Sequence, residues 1–159
     1  LDVVRARAFN HLGPGQSDKF VASAIASRVV ANERIGATTV RVGNLDARRD
    51  FTDVRDVVRA YRLLMTDGVA GEVYHVCSGT DRPVRELADM LVSLAAHEMR
   101  LEVDPELYRP VDLPVLRGDH TKITEATGWE PRIDLATTLA DLLDYWRAHP
   151  EGVASPEIA

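Results

Sequence analysis

A polar segment rich in glycine and proline follows the first strand-like stretch of the chain. Residues 1–7, from Leu1 to Arg7, contain adjacent valines and no breaker, which predicts a strand. Asn10 and His11 stand where that strand would end, and Gly13-Pro14-Gly15 then predicts a tight loop. Because ligands of open parallel sheets bind at the carboxyl ends of strands, this segment is a candidate wall of a ligand site. An ordinary strand–loop–helix connection is the alternative interpretation.

Two arginines in separate polar segments are candidates for binding an anion. Arg49 lies in Arg48-Arg49-Asp50 after the second predicted strand, and Arg109 lies in a proline-rich segment after the fourth. An arginine guanidinium binds phosphate through two parallel N–H donors, which a lysine ammonium cannot do. The alternative for Arg49 is a solvated salt-bridged turn with Asp46 and Asp53, and the alternative for Arg109 is an ordinary surface arginine.

The other reactive side chains give weaker indications. The histidines show no pair at the spacing of metal ligands. Cys77 follows a predicted strand, but no cation or helix N-terminus is evidently aimed at it, so a buried and inert thiol is predicted. The pairs Asp53/Asp56 and Asp141/Asp144 are interpreted as helix caps and solvated helix faces rather than as acid–base dyads.

The composition is that of an ordinary globular domain. The chain has 159 residues, of which 45% are hydrophobic and 28% charged, and its formal net charge of -6 argues against a nucleic-acid surface. The single cysteine excludes an intrachain disulfide and suits a reducing compartment, so we expect a cytoplasmic protein. The sequence contains no apolar run of about 18 residues, so no membrane span is predicted. It also shows no signal-peptide pattern. Because the chain begins at Leu1 inside a strand-like run, we expect a fragment of a longer protein.

Strand-like and helix-like patterns alternate along the chain. Strands are predicted over residues 1–7, 38–42, 72–77 and 101–103, and helices over 19–34, 54–66, 84–96 and 137–147, with a short helix that ends at 127–128. In the second helix the predicted apolar side comprises Val54, Val57, Val58, Tyr61, Leu64 and Met65. The alternation predicts an α/β fold with parallel pairing. Polar segments at 10–16, 43–53, 77–83 and 104–118 follow the strands, so we expect one ligand crevice built from several loops.

Four motifs, in order, resemble those of the extended short-chain dehydrogenase/reductases. They are Phe9-Asn10-His11-x-x-Pro14, the segment from Gly43-Asn44-Leu45-Asp46 through Arg49-Asp50-Phe51 to Asp56-Val57, the segment from Asp104-Pro105 through Arg109-Pro110 to Lys122, and Thr127-Gly128-Trp129-x-Pro131. Within that superfamily the chain looks like the branch of GDP-mannose 4,6-dehydratases and GDP-4-keto-6-deoxymannose reductases. The resemblance implies the C-terminal part of such an enzyme over residues 1–159, with the last strands of a Rossmann sheet and a small α/β substrate-binding lobe.

The resemblance also implies roles for individual residues. Asn10 is expected to bind the sugar nucleotide, and Arg49 and Arg109 are expected to hold its diphosphate. Phe20 and Val21 are expected to pack near the guanine base. The backbone around Phe9, Asn10, His11 and Leu12 is expected to line the nicotinamide side of the site. Gly128-Trp129-x-Pro131 is expected to be structural.

Two catalytic motifs of that superfamily have no counterpart in this sequence. It has no glycine-rich G-x-x-G-x-x-G loop for the cofactor, and none of its tyrosines has a lysine four positions later. The resemblance therefore implies that NAD or NADP binds mainly to a missing N-terminal half, and that this chain alone does not transfer hydride. We expect that half, or a second copy, to pair with the strand over residues 1–7, and the full-length protein to form a homo-oligomer.

The resemblance favours a reductase over a dehydratase within the branch. Dehydratases show an Arg-Lys pair shortly after Phe-Val, whereas residues 20–25 here contain no such pair, and residues 141–147 look reductase-like. The expected ligand is therefore a GDP-linked sugar. A UDP- or dTDP-sugar epimerase or dehydratase of the same superfamily remains open, as does a non-catalytic module that binds a nucleotide sugar or a partner domain.

Overall fold

The computed structural model of the chain describes residues 1–108 and 113–149. Within them, strands and helices alternate in the order β1 (Arg5–Ala8), β2 (Asn10–Leu12), α1 (Val21–Ile35), β3 (Thr39–Val42), β4 (Arg48–Asp53), α2 (Val54–Asp67), β5 (Val73–Val76), β6 (Asp81–Pro83), α3 (Val84–Ser93), β7 (Arg100–Val103), β8 (Val115–Leu116), α4 (Thr121–Thr127) and α5 (Leu135–Ala148). A short 3-10 turn, Pro105–Leu107, follows β7.

The predicted α/β class with parallel pairing is confirmed. β1 pairs with β5 in parallel, β3 pairs with β7 in parallel, and β4 pairs in parallel with β2 and β8. The pairing of β4 with β6 is antiparallel. The predicted strand over residues 1–7 is shorter than expected and begins at Arg5. Among the strands of the described ranges, β1 has β5 as its partner along one edge.

Two segments that were predicted as polar loops are strands. Asn10 pairs with Phe51 in the register of β2 and β4, so the chain continues in extended form where a loop was expected. The polar stretch of residues 48–53 forms β4, the strand on which three others pair. Sequence polarity was misleading here because the acidic side chains of β4 are buried with hydrogen-bonding partners of their own.

The helices and strands enclose two groups of buried apolar residues. The larger group joins α1, α3 and α5 to β3 and β4, with Ile25, Val29, Leu87 and Leu142 fully enclosed. The smaller group lies under α2 and comprises Val57, Ala60, Leu64, Tyr74, Val76, Ile123 and Trp129. The prediction for α2 was wrong for Val58, Tyr61 and Met65, which are exposed because the inward face carries Ala60 instead.

No helix in the described ranges is long and apolar enough to span a lipid bilayer.

Candidate functional site

The segment after β1 forms the wall of a cavity of about 670 Å³, here called cavity A. Cavity A is lined by residues 8–17, Phe20, Val54 and Leu116. The residues predicted to face the nicotinamide, Phe9, Asn10, His11 and Leu12, all lie in this lining. The lining mixes apolar residues with a few polar ones, which is typical of a small-molecule site.

Hydrogen bonds fix the backbone that surrounds cavity A. The Phe9 N–H donates to Val76 O at 2.9 Å, which ties the wall to β5. Gln16 Nε2 donates to His11 O at 2.8 Å, and Ser23 Oγ donates to Gln16 O at 2.6 Å, which ties the loop to α1. A Cβ on Gly13 would lie 2.7 Å from Val54 Cγ1, so glycine allows the loop to close on the start of α2.

A second cavity of about 360 Å³, cavity B, shares Asn10 with the lining of cavity A. Its lining comes from Asn10, the N-terminal half of α1, the chain after β3, Arg49 and the 3-10 turn with Tyr108. Lys19, Arg28 and Arg49 give this lining three cationic side chains, against one carboxylate, Glu106. The local charge of cavity B is therefore positive in a chain whose net charge is negative.

Arg48 and Arg49 are adjacent but differ in their partners. Arg48 Nε contacts Asp81 Oδ2 at 2.5 Å, so its charge is neutralised by an ion pair, and this pairing lowers the pKa of Asp81. Arg49 Nη1 donates to Arg48 O at 2.7 Å and lies 3.5 Å from Pro114 O. Within the described part of the chain no carboxylate pairs with Arg49, and Arg49 is one of the residues that line cavity B. Arg48 thus forms a salt bridge, but with Asp81 rather than with Asp46 or Asp53, and residues 48–53 form a strand rather than the turn of that alternative.

Arg109, the second predicted diphosphate ligand, lies outside the described residues, so the paired arginines remain a prediction. The segment that leads to it is firmly held. Asp104 forms an ion pair with Arg41 and accepts a hydrogen bond from Glu106 N at 2.9 Å. A Cβ on Gly43 would overlap the Leu107 carbonyl oxygen, so glycine is needed where the turn packs against the end of β3. Tyr108, the residue before Arg109, lines cavity B.

The two residues predicted near the base line neighbouring cavities. Phe20 lines cavity A and is 58% exposed, whereas Val21 lines cavity B. Asn10 lies in the lining of both cavities. The structure thus brings Asn10, Val21 and Arg49 to one cavity, and Phe9–Leu12 and Phe20 to the other.

Asp50 is a residue whose position the sequence did not reveal. Its side chain is 0% exposed and lies on β4 between Arg49 and Phe51. The carboxylate accepts hydrogen bonds from Ser78 N, Ser78 Oγ, Gly79 N and Gly118 N, at 2.7, 2.7, 2.9 and 3.2 Å. Three polar segments that sequence analysis placed after strands therefore meet at one carboxylate. The only signal in the sequence for a buried role of Asp50 was its position next to Arg49 in a polar segment.

The remaining candidate residues are structural in this geometry. The predicted burial of Cys77 is confirmed, and this burial raises the pKa of its thiol to about 12, which agrees with the predicted lack of reactivity. Asp53 caps α2, as predicted, through a bond from Arg55 N to Asp53 Oδ1 at 2.8 Å. Asp56 was predicted to be a helix cap or to lie on a solvated helix face. The structure instead buries its carboxylate, which is paired with Arg59 and accepts the N–H groups of Arg132 and Ile133. Among the described residues no cluster of histidine, cysteine, aspartate or glutamate is suited to hold a metal ion.

Known proteins are similar to this chain in both sequence and fold. The sequence model of the family described as GDP-mannose 4,6 dehydratase matches residues 1–142. The chain is 40% identical over 148 residues to the GDP-6-deoxy-D-mannose reductase of Pseudomonas aeruginosa, which covers 92% of this chain and 48% of that protein. It is 29% identical over 152 residues to the human GDP-mannose 4,6 dehydratase, which covers 84% of this chain and 41% of that protein.

A solved structure of RMD from Pseudomonas aeruginosa complexed with NADPH superimposes on the chain. The TM-score is 0.83 at 40% identity, and the match covers 92% of this chain and 49% of that one. The chain thus spans about half the length of the curated relatives that it matches.

Proposed function

The chain belongs to the GDP-mannose 4,6 dehydratase family, and from that premise we propose that it is the substrate-binding part of an NAD(P)-dependent enzyme acting on a GDP-linked sugar. In the whole enzyme, hydride passes between the nicotinamide and C4 of the hexose. The finer assignment is to a 4-keto-6-deoxy-sugar reductase. It is supported by the 40% identity to a reductase against 29% to a dehydratase, and by the missing Arg-Lys pair after Val21.

The position of Asn10 is the observation that carries this proposal. Its place in the lining of both cavities suits a residue that contacts the sugar, where the nicotinamide and the nucleotide ends of the site meet. Cavity B, with its cationic lining, then takes the nucleoside diphosphate, and cavity A takes the nicotinamide. Arg49 and Arg109 hold the diphosphate, and Val21 packs beside the base, whereas Phe20 lines cavity A and is not assigned to the base.

The residues of cavity A fit a nicotinamide group. Gln16 Oε1 is buried and has no hydrogen-bond partner in the described residues, while its amide nitrogen is held by His11 O. A buried acceptor without a partner is costly, and the carboxamide N–H of nicotinamide is a donor of the right kind. When bound, the nicotinamide supplies or accepts the hydride. Phe9 and Leu12 exclude water from that side, and Asn10 and Gln16 orient the two ligands.

The catalytic residues and most of the cofactor-binding residues are assigned to a further, N-terminal half of the protein. The chain spans about half of its relatives and lacks the glycine-rich loop and the Tyr-x-x-x-Lys pair. We assign the outer edge of β1 as the place where that half continues the sheet. On this assignment the chain alone has no hydride-transfer activity. We also propose that the full-length protein forms a homo-oligomer. Mass spectrometry of the intact protein from its native host tests this assignment, with an expected mass about twice that of the chain.

A native mass equal to that of residues 1–159 would favour the stand-alone binding module instead. The same sample is then assayed for oxidation of NADPH with a GDP-4-keto-6-deoxy-sugar, which only the full-length enzyme is expected to show.

Titration calorimetry of GDP into the full-length native protein tests the diphosphate site. Arg49→Ala removes a charge-assisted contact of about 1.5–3 kcal/mol, so the affinity for GDP is expected to fall roughly ten- to hundredfold. Arg49→Lys recovers little, because the charge is kept but the two-donor geometry is lost. Arg109→Ala is expected to match Arg49→Ala.

Arg48→Ala is the matched control for this titration, because Arg48 is adjacent and equally charged but pairs with Asp81. Equal losses for Arg48→Ala and Arg49→Ala, or no loss for Arg109→Ala, would contradict the assignment. Tighter binding of UDP or dTDP than of GDP would favour the other nucleotide-sugar enzymes of the superfamily.

A further inference from the structure

We propose that Asp50 is a positioning residue for the diphosphate side of cavity B: its carboxylate holds β8 against β4 and thereby aims the Arg49 guanidinium. The inference rests on the proposed function, because it assigns Asp50 a part in nucleotide binding. Asp50 itself lines neither cavity, so it acts through its neighbours rather than by touching the ligand.

The first step is the contact between Asp50 and the chain after β8. Asp50 Oδ2 accepts from Gly118 N at 3.2 Å and from Gly79 N at 2.9 Å. A Cβ on Gly118 would lie 2.5 Å from Cys77 Sγ and 2.9 Å from Phe9 Cε2, so only glycine allows this approach. The carboxylate therefore draws the end of the β8 segment into a gap that is closed by Cys77 and by Phe9 of the cavity A wall.

The second step leads from β8 to Arg49. Leu116 is the register partner of Arg49, and Arg48 N donates to Pro114 O at 2.8 Å. Arg49 Nη1 lies 3.5 Å from that same Pro114 oxygen. The carbonyl beside the Arg49 guanidinium thus belongs to the segment that Asp50 holds in place. Asp50 thus acts on Arg49 indirectly, through the segment that carries this carbonyl.

The chemistry requires a carboxylate rather than an amide at this position. Asp50 faces donors on both oxygens, with Ser78 on one and the glycine N–H groups on the other. In Asp50→Asn one oxygen becomes an NH₂ donor that opposes N–H donors, so the contacts to Ser78 and those to Gly118 cannot both remain. The variant keeps the shape of the side chain and breaks the link between β4 and β8.

The test is calorimetric titration of GDP into the full-length protein in two backgrounds. Asp50→Asn is expected to lower the affinity for GDP about tenfold in the wild-type background, within the range for residues in one hydrogen-bond network. In the Arg49→Ala background the same substitution is expected to change the affinity by less than about twofold, because the group it positions is absent. A merely structural role would give equal losses in both backgrounds.

Asp56→Asn is the matched control for protein stability. Asp56 is also a buried carboxylate that accepts main-chain N–H groups, but it lies on α2 and lines neither cavity. It is expected to lower the melting temperature comparably and to leave the affinity for GDP unchanged. If Asp50→Asn does not fold, Ser78→Ala removes a single bond to Asp50 and is expected to give a two- to threefold loss, roughly, with the same dependence on Arg49.

The outcomes separate the two proposals. If the wild-type protein does not bind GDP, the proposed function is wrong and the role of Asp50 falls with it. If GDP binds with the Arg49 dependence described above, but the Asp50 or Ser78 losses are equal in both backgrounds, the positioning role alone is overturned. A loss with Asp56→Asn equal to that with Asp50→Asn would also overturn it.

Discussion

Asp50 and Asp56 are buried carboxylates in one stretch of the chain, and they hold different parts of the molecule together. Asp50 collects N–H groups from the ends of β5 and β8, next to cavities A and B. Asp56 collects the N–H groups of Arg132 and Ile133, and its main-chain oxygen accepts a bond from Trp129 Nε1 at 2.9 Å. A buried carboxylate by itself therefore shows only that several segments pack together. Whether it belongs to a ligand site depends on which segments donate the N–H groups that it accepts.

The largest expected effect lies on the Asp56 side of this comparison. Trp129 is fully buried under α2, and the Arg59 guanidinium carbon lies 5.8 Å from the centroid of its ring. Trp129→Ala therefore removes a large side chain from the smaller group of buried apolar residues. We expect a loss of about 3–5 kcal/mol in the free energy of unfolding, measured by urea denaturation of the full-length protein. The affinity of the folded protein for GDP should not change, because Trp129 lines neither cavity.

A weaker GDP affinity in folded Trp129→Ala would contradict the distinction between Asp50 and Asp56, because it would show that the residues packed under α2 also affect the nucleotide site. Ile123→Val, in the same buried group, is a milder control with an expected loss of about 0.5–1.5 kcal/mol.

Asp53, between the two carboxylates, gives an intermediate and pH-dependent effect. Burial alone would raise the pKa of Asp53, but hydrogen bonds from Arg55 and from Thr138 together lower it. The ionised form therefore stabilises the fold above the unfolded-state pKa of about 3.9, and this contribution is lost as the pH falls through the lower folded-state pKa. Asp53→Asn is expected to cost about 1 kcal/mol at neutral pH, since asparagine keeps the helix cap but loses the charge.

Denaturation curves at a series of pH values check this prediction for Asp53→Asn. The difference in unfolding free energy between wild type and variant should shrink below pH of about 4. A difference that stays constant down to pH of about 2 would show that the charge of Asp53 has no part in it.

The sequence predicted the framework better than the site. Helices with clear apolar spacing, such as α1 and α5, were found within a few residues of their bounds, because periodicity directly reports a buried face. The strands β2 and β4 were missed because pairing between residues 10 and 51 leaves no local pattern. In β4, moreover, the buried carboxylates of Asp50 and Asp53 have partners that are distant in sequence. Asp50 was missed for the same reason, since its partners lie 28 or more positions away. By contrast, Asn10 and Arg49 were named from polar segments after predicted strands and from motif resemblance; the structure places both in the lining of cavity B, and their roles stay predictions.

The smallest expected effect separates the geometry of Arg49 from the general positive charge around it. Arg82 is the register partner of Arg49 on β6, and its Nη1 contacts Glu86 at 2.5 Å in an exposed pair. Arg82→Ala should change stability by less than about 0.5 kcal/mol, as for other exposed ion pairs. It should weaken GDP binding by about twofold in dilute buffer and not at all in about 0.5 M salt, where the screening length falls to a few ångströms. The Arg49→Ala loss should persist at high salt, because a direct two-donor contact is screened far less than a distant charge. If the two variants lose the same affinity and both losses vanish with salt, the site binds anions through its overall field rather than through the Arg49 guanidinium.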